Sequence, residues 1–152
     1  MNPKQIWNEA KPFKFIELDG LCKVKIISWS MSWLHKFKRF KVWYKRFITT
    51  EDKKYVHGYN IIGEKPPCWF FDVAGNDLNY MLVPFYDKLR KISKGKFIGK
   101  FYFKKFGIKF FAGYFDLTKV EESNSFEKLY AEAKKDPRYY EEKAKLQDEI
   151  GE

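Results

Sequence analysis

Most of this chain is divided into short runs that alternate apolar and polar residues, and turn-forming residues separate one run from the next. "YVHGYNII" ends at "GEKPP", "CWFFDV" is followed by "AGND", "YDKLRKI" meets "SKGK", and "FIGKFYFKKF" meets Gly107. Alternation places every second side chain on the same face of a strand, so that each run can bury one face. Such runs at short spacing predict an antiparallel meander that closes into a barrel or a sandwich.

The order of these runs predicts the fold class. We predict a mainly β chain, an antiparallel up-and-down β-barrel of about eight strands over residues 13–120. Residues 13–117 are expected to form a single sheet, because no helical run long enough for a crossover lies between the strands. "FKFIEL" and "LCKVKIISW" flank Asp19-Gly20, a dipeptide typical of a two-residue hairpin turn.

Helices are predicted at the two ends of the chain. Asn2 followed by Pro3 favours a short N-terminal helix, with proline at the first helical position. Residues 121–152 are rich in Ala, Glu, Lys and Leu, which favours C-terminal helices. We interpret these helices as an appendage, so that residues 1–152 form a single domain.

The segment from Trp33 to Phe47 contains six Lys or Arg and no acidic residue, and it fits two interpretations. As a helix it would place its rings on one arc, which is typical of basic amphipathic helices that bind membranes or partner grooves. As a strand, residues 40–48 would pair with the following run across a turn. We favour the strand because the segment lacks Ala, Glu and Gln, and a helix stays possible for residues 30–38.

Charge and ring content indicate the class of ligand. The chain has sixteen Phe, ten Tyr and five Trp among 152 residues, and rings of this kind suit the walls of apolar pockets. Its net charge is +10, and residues 1–117 carry 23 basic and 10 acidic side chains. This excess creates a positive field that attracts phosphates, nucleic acid or anionic lipid head groups.

Cysteine usage and hydropathy indicate where the protein resides. Cys22 and Cys68 have no metal-ligand spacing, so we expect two thiols in a reducing, cytoplasmic environment and no metal site. The N-terminal residues lack the apolar core of a signal peptide. No run approaches 18 apolar residues, so no transmembrane segment is expected.

Several strands carry more bulky rings than a solid core needs, which predicts a ring-lined site inside the barrel. The predicted ligand-binding residues are Trp29, Trp43, Trp69, Phe71, Tyr80, Arg90, Phe101, Phe103 and Tyr114. Arg90 is the candidate for an inward cation, because arginine can hold a carboxylate through two hydrogen bonds. The competing interpretation, which we favour, pairs Arg90 with Asp87 or Asp116 on the surface. No catalytic residue and no cofactor is predicted.

The run "FIGKFYFKKFGIKFFAGYFDLTKV", from Phe97 to Val120, resembles the closing hairpin of small calycin-like barrels, the group that includes lipocalins and fatty-acid-binding proteins. The resemblance covers roughly residues 13–120 in strand order. It implies an up-and-down barrel around an apolar cavity, and it transfers no functional residue by position. The lipocalin GxW motif near the first strand is absent.

Two functions from different classes follow. The first is binding of an apolar or amphipathic small molecule, lipid-like or an aromatic acid, in the barrel. The alternative is a nucleic-acid-binding module, in which exposed rings stack on bases and Lys and Arg follow the backbone. An enzyme on the same barrel has no specific support in the sequence, and the oligomeric state is left open.

Overall fold

The computed structural model describes residues 2–28, 42–50, 52–63 and 66–122, with the side chains of residues 121–122 excepted. Eight antiparallel strands follow one another in sequence order around a closed barrel, and the last strand pairs with the first. The strands are β1 (Gly20–Ile26), β2 (Trp43–Thr49), β3 (Val56–Ile62), β4 (Cys68–Ala74), β5 (Asp77–Tyr80), β6 (Phe85–Ser93), β7 (Lys96–Lys105) and β8 (Ile108–Glu122). The predicted up-and-down barrel is therefore confirmed.

The short N-terminal helix is also confirmed, as α1 (Pro3–Glu9). Asn2 caps it: the Asn2 side chain accepts from the backbone N–H of Gln5, and the Gln5 side chain accepts from the backbone N–H of Asn2. This reciprocal arrangement satisfies amide groups that the first helical turn leaves without partners. Trp7 is the buried residue of α1, and it packs on the outside of the barrel at β6 and β7. The C-terminal helices were predicted for residues 121–152; residues 121–122 belong to β8 instead, and the rest lie outside the described residues.

The predicted hairpin at Asp19-Gly20 is wrong. Phe15–Leu18 forms a 3₁₀ helix that leads into β1, and Leu18 is fully buried at this end of the barrel. The Asp19 side chain accepts hydrogen bonds from the backbone N–H and the hydroxyl of Thr49, at 3.1 and 3.0 Å. Asp19 therefore joins the start of β1 to the end of β2, because its short acceptor side chain can satisfy local donors in place of a turn.

The structure describes residues 42–47 of the segment from Trp33 to Phe47. Its residues from Trp43 onward belong to β2, which agrees with the strand interpretation and excludes a continuous helix over the segment. Of the predicted strand 40–48, residues 40 and 41 lie outside the described residues, Val42 precedes β2, and β2 ends at Thr49, one residue beyond the predicted end. The helix considered for residues 30–38 lies outside the described residues.

Two glycines allow the barrel wall to close. Gly58 in β3 lies so near β2 that a Cβ there would be 1.8 Å from the carbonyl oxygen of Arg46. Gly99 in β7 lies beneath the ring of Phe115, its partner in β8, and a Cβ there would be 2.2 Å from Phe115 Cζ. Glycine at these positions permits close approach of a backbone and of a ring, respectively.

The core lies inside the barrel. Its buried members come from all eight strands and include Phe47, Phe71, Leu89, Phe97 and Leu117. Some outward-facing residues are buried as well: Ile48, Tyr59 and Phe70 are each at most 3% exposed. The outer surface at β2–β4 is therefore covered in the folded chain, whereas the outer surface at β6–β8 carries partly exposed side chains.

Candidate ligand-binding site in the barrel interior

A lysine and an aspartate meet inside the barrel. Lys45 in β2 and Asp87 in β6 are 1% and 0% exposed, and Lys45 Nζ lies 3.5 Å from Asp87 Oδ2. β2 and β6 are not neighbours in the sheet, so the pair spans the interior. A charge withdrawn from water in this way needs a partner, and each of these two side chains supplies one to the other.

Three further side chains complete a polar cluster around this pair. Lys45 Nζ also donates to Asn60 Oδ1 at 2.8 Å and to the hydroxyl of Tyr80. The Tyr80 hydroxyl donates to Asp87 Oδ2 at 2.7 Å, and the Trp43 indole N–H donates to Asn60 Oδ1 at 2.8 Å. We call Trp43, Lys45, Asn60, Tyr80 and Asp87 the polar cluster. Its hydrogen bonds connect strands β2, β3, β5 and β6 across the interior.

One atom of the polar cluster lacks a partner. Asp87 Oδ1 is buried, and no donor in the described part of the chain reaches it, whereas Oδ2 accepts from Tyr80 and lies near Lys45. A buried carboxylate oxygen without a donor carries a desolvation cost of about 1–3 kcal/mol or more. The cluster therefore has one acceptor in excess.

Burial dominates the electrostatics of the polar cluster. It raises the pKa of Asp87 above its ordinary value, and Lys45 opposes that shift. It lowers the pKa of Lys45, and Asp87 opposes that shift in turn. Burial and the Asp87 carboxylate together hold the pKa of Tyr80 well above its usual range, so Tyr80 keeps its proton and donates it. The pair thus has no net charge at neutral pH.

Aromatic rings surround the lysine ammonium. Lys45 Nζ lies 5.1 to 5.7 Å from the ring centroids of Trp43, Phe71, Tyr80 and Phe115. Ring faces attract a cation, most strongly where water is excluded. Cys22 is also fully buried in this core, and burial raises its pKa to about 12, so its thiol stays protonated.

A group of less buried rings lies at one end of the barrel, next to the polar cluster. We call Trp69, Phe85, Phe101 and Phe103 the aromatic end. The Phe85 ring centroid lies 5.2 Å from that of Trp69, 5.1 Å from that of Phe101 and 5.5 Å from that of Phe103. Phe85 also lies 5.8 Å from Tyr80, so ring contacts run continuously from Phe103, which is 42% exposed, to the polar cluster.

Backbone geometry contributes to this arrangement. Trp69 has a φ of 48°, in the left-handed region that large residues rarely adopt, and the pairing of β3 with β4 shifts register beside it. The irregularity turns the Trp69 ring towards Trp43, at 6.2 Å, and Phe85. Unusual backbone that re-aims a side chain is a known feature of bulged strands near functional sites.

Six predicted lining residues lie in the interior or at the aromatic end: Trp43, Trp69, Phe71, Tyr80, Phe101 and Phe103. Tyr114 does not, because the register shift between β7 and β8 precedes it and Phe115 takes the inward position. The Tyr114 ring lies instead on the outer face, against Phe111. Trp29 lies outside the described residues.

The expectations for Arg90 are both corrected. Its neighbour Leu89 faces the core, so Arg90 projects outward, where it stacks on Trp7 at 4.4 Å and donates to the Trp7 carbonyl at 2.9 Å. It is not an inward cation, and Asp87, one of the two surface partners considered for it, lies inside the barrel with Lys45. Burial raises the pKa of Asp116, the other partner considered, and the cations that oppose this shift are Lys25 and Lys96. The interior cation is Lys45.

The sequence carried a signal for this pair. Lys45 stands two residues from Trp43 and from Phe47, and Asp87 stands two residues from Phe85 and Leu89. In a strand these are positions on the same face, so each charge interrupts an apolar inward face. When each of two strands carries one charge, the two charges are opposite in sign, and the residues two positions before and after each charge are apolar, an interior ion pair is predicted.

Comparison with protein-family models, with curated proteins and with solved structures found no match to this chain. Within the described residues, no helix is long and apolar enough to cross a membrane.

Proposed function

We propose that the barrel binds an apolar or amphipathic small molecule, lipid-like or aromatic, with its polar head at the polar cluster and its apolar part among the rings of the aromatic end. The observation that carries the proposal is the unpartnered Asp87 Oδ1, buried inside a ring-lined barrel. A purely structural ion pair would need only Oδ2, which already accepts from Tyr80. A donor on a ligand head would remove the cost of the remaining oxygen.

Charge balance indicates the chemistry of the head. Lys45 is already compensated by Asp87, so the polar cluster offers an acceptor rather than a free positive charge. A neutral head that donates a hydrogen bond, such as a hydroxyl or an amide, fits this balance. An acid fits in its protonated form, because its O–H can then donate to Asp87 Oδ1 and no third charge is buried.

Two other expectations remain part of the proposal. Sequential strand order around a closed barrel supports the resemblance to calycin-like proteins. In the described part of the chain Cys22 and Cys68 are thiols that form no disulfide with each other, Cys22 buried and Cys68 partly exposed, which supports a cytoplasmic location, where thiols stay reduced.

A matched pair of ligands tests the proposal: a long-chain alcohol and the fatty acid of the same length, each titrated against the protein while tryptophan fluorescence is followed. Trp43 and Trp69 lie beside the site, so both report occupancy. The alcohol is expected to bind saturably at neutral pH, and the acid to bind more tightly as the pH falls towards its own pKa. No saturable signal from either would contradict the proposal. Native mass spectrometry of freshly purified protein adds an independent readout, the mass of any retained small molecule.

Nucleic-acid binding is the second candidate, and it rests on the outer face of β6–β8. Residues 88–115 contain nine basic and no acidic side chains. Lysine side chains already cover ring faces on this surface. Lys109 Nζ lies 3.6 Å from the Tyr86 ring centroid, and Lys100 Nζ lies 4.6 Å from the Trp7 ring centroid. Stacking on bases would have to displace these cations, which favours the interior site. Fluorescence anisotropy with short oligonucleotides tests the candidate, and affinity should fall linearly with log salt if phosphates are contacted.

A further inference from the structure

The turn that joins β7 to β8 presents an unusual surface. We call residues 103–111 the hairpin tip. Its apolar side chains are exposed to different degrees: Phe106 90%, Ile108 57%, Phe110 51%, Phe111 50% and Phe103 42%. Exposed apolar groups gathered in one place, rather than scattered singly, mark interaction sites.

The charge around the hairpin tip has one sign. Lys104, Lys105 and Lys109 stand between its apolar residues, and residues 88–115 contain no Asp or Glu. Lys105 is close to the apical ring, with Nζ 5.5 Å from the Phe106 centroid. Lysine attracts anionic surfaces, and its long stem can lie along apolar material while its ammonium stays in water.

The backbone at the apex shows that Phe106 is not there for the turn itself. Phe106 and Gly107 have φ values of 53° and 73°, so both central residues of this two-residue turn are left-handed. Turns of this kind favour Asn at the first position, because an aromatic residue adopts a positive φ at a cost. A strained, exposed ring at the apex points to a role outside the fold.

The hairpin tip is adjacent to the aromatic end. Phe103 belongs to both, and its ring contacts Phe85 and Phe101. The β2–β3 turn, by contrast, lies at the opposite end of the barrel, where Asp19 contacts Thr49. A surface that binds the hairpin tip would therefore also contact the aromatic end, where the rings are least buried.

We propose that the hairpin tip docks on anionic lipid membranes, with Phe106 and Ile108 inserted among the lipid chains and Lys104, Lys105 and Lys109 at the head groups. An apolar apex with a basic surround is the combination by which peripheral proteins bind membrane interfaces. Charge complementarity selects the anionic membrane, because nothing acidic in residues 88–115 would oppose it. This inference is independent of ligand binding inside the barrel.

The test separates docking from folding through Phe106→Asn. Asparagine suits the left-handed turn, so this variant should melt at the same temperature as the wild type or higher. It should bind phosphatidylcholine–phosphatidylserine vesicles about tenfold more weakly in co-sedimentation, because one inserted ring is lost. Phe106→Trp should retain binding and should show added tryptophan quenching by brominated lipids.

Control measurements determine which part of the protein binds the vesicles and whether anionic lipid is required. Tyr55→Asn removes a 65% exposed ring that lies next to two lysines on the β2–β3 turn, and it should bind vesicles as the wild type does. Wild-type binding should fall on vesicles of phosphatidylcholine alone and at high salt. Equal vesicle binding by wild type and Phe106→Asn would overturn the proposal, as would no vesicle binding by the wild type. Binding to an oligonucleotide that Phe106→Asn abolishes, without vesicle binding, would assign the surface to nucleic acid and would also overturn it.

Discussion

Lys45 Nζ lies 3.5 Å from Asp87 Oδ2 in the interior of the barrel, and both side chains are almost completely withdrawn from water. The two residues come from strands on different sides of the closed sheet, so their contact connects walls that share no backbone hydrogen bonds. Four rings surround Lys45 Nζ, the hydroxyl of one of them, Tyr80, donates to Asp87, and Asn60 is a further polar side chain bonded to Lys45. This contact connects opposite walls of the barrel and places two charged groups in its interior.

Removal of one partner should be costly. Lys45→Met leaves Asp87 buried without its cation, and we expect the free energy of unfolding to fall by about 3–5 kcal/mol in urea denaturation. Lys91→Met is the matched control, because Lys91 pairs with Glu17 where both side chains are about one-third exposed. That loss should be about 1 kcal/mol or less. Equal losses in the two variants would contradict a buried, mutually dependent pair.

The double variant Lys45→Met/Asp87→Leu should recover most of that loss. It replaces both charges with apolar side chains of similar size, and such replacements of buried pairs are often neutral or stabilising. Urea denaturation of the wild type, both single variants and the double variant gives the coupling energy directly. If the double variant is no more stable than Lys45→Met, the loss in Lys45→Met does not come from leaving Asp87 without its partner.

The pH dependence of stability should reveal the lysine. In the wild type, each partner opposes the pKa shift that burial causes in the other, so Lys45 and Asp87 together are expected to hold one proton over a window around neutral pH, folded and unfolded alike, and stability is flat there. In Asp87→Asn, burial lowers the pKa of Lys45 without an opposing carboxylate, so we expect the folded state to lack a proton that the unfolded state binds. Stability of this variant should therefore rise by up to about 1.4 kcal/mol per pH unit across that window. Parallel curves for variant and wild type would show that Lys45 keeps its charge without Asp87.

The two close-packed glycines should respond differently to alanine. In Gly58→Ala the obstacle is the carbonyl of Arg46, which cannot rotate away, whereas in Gly99→Ala it is the Phe115 ring. We expect Gly99→Ala to cost about 1–3 kcal/mol and Gly58→Ala to cost more, as measured by thermal or urea denaturation. Phe115→Leu should be less harmful in the Gly99→Ala background than in the wild type. Additive effects of these two substitutions would contradict direct contact.

The buried thiol should be unreactive until the chain unfolds. With its pKa raised to about 12, Cys22 has about a thousandfold less thiolate near pH 8 than an ordinary cysteine has. In Cys68→Ser, which leaves Cys22 as the single thiol, iodoacetamide labelling should proceed at the rate of barrel opening. Rapid labelling under native conditions would show that this part of the core is accessible.

The fold was largely predictable because alternation and turns are local properties. Eight strands were expected, and the turns at Gly75, Gly95 and Gly107 have the positive φ values that such positions require. Asp19-Gly20 misled the prediction, since the same dipeptide can serve a 3₁₀ helix and cap a neighbouring strand.

The site was predictable only in part. Ring positions such as Phe71 and Tyr80 follow from alternation, but a register shift between β7 and β8 reverses the phase at Tyr114. The contact of Lys45 with Asp87 depends on which walls face one another in the closed barrel. Local sequence does not contain that information, although it marks each charge as an interruption of an apolar face.

Ligand binding should depend on a hydrogen bond that the ligand head donates to Asp87 Oδ1. Isothermal titration calorimetry of a long-chain alcohol against the wild type and against Lys45→Met/Asp87→Leu tests it most directly, with Arg90→Leu as a control on the outer face. We expect one saturable site in the wild type and in Arg90→Leu, and affinity at least about tenfold weaker in the double variant, because one hydrogen bond to a charged group contributes about 1.5–3 kcal/mol. Equal affinity in the double variant, or no binding by the folded wild type, would contradict the account.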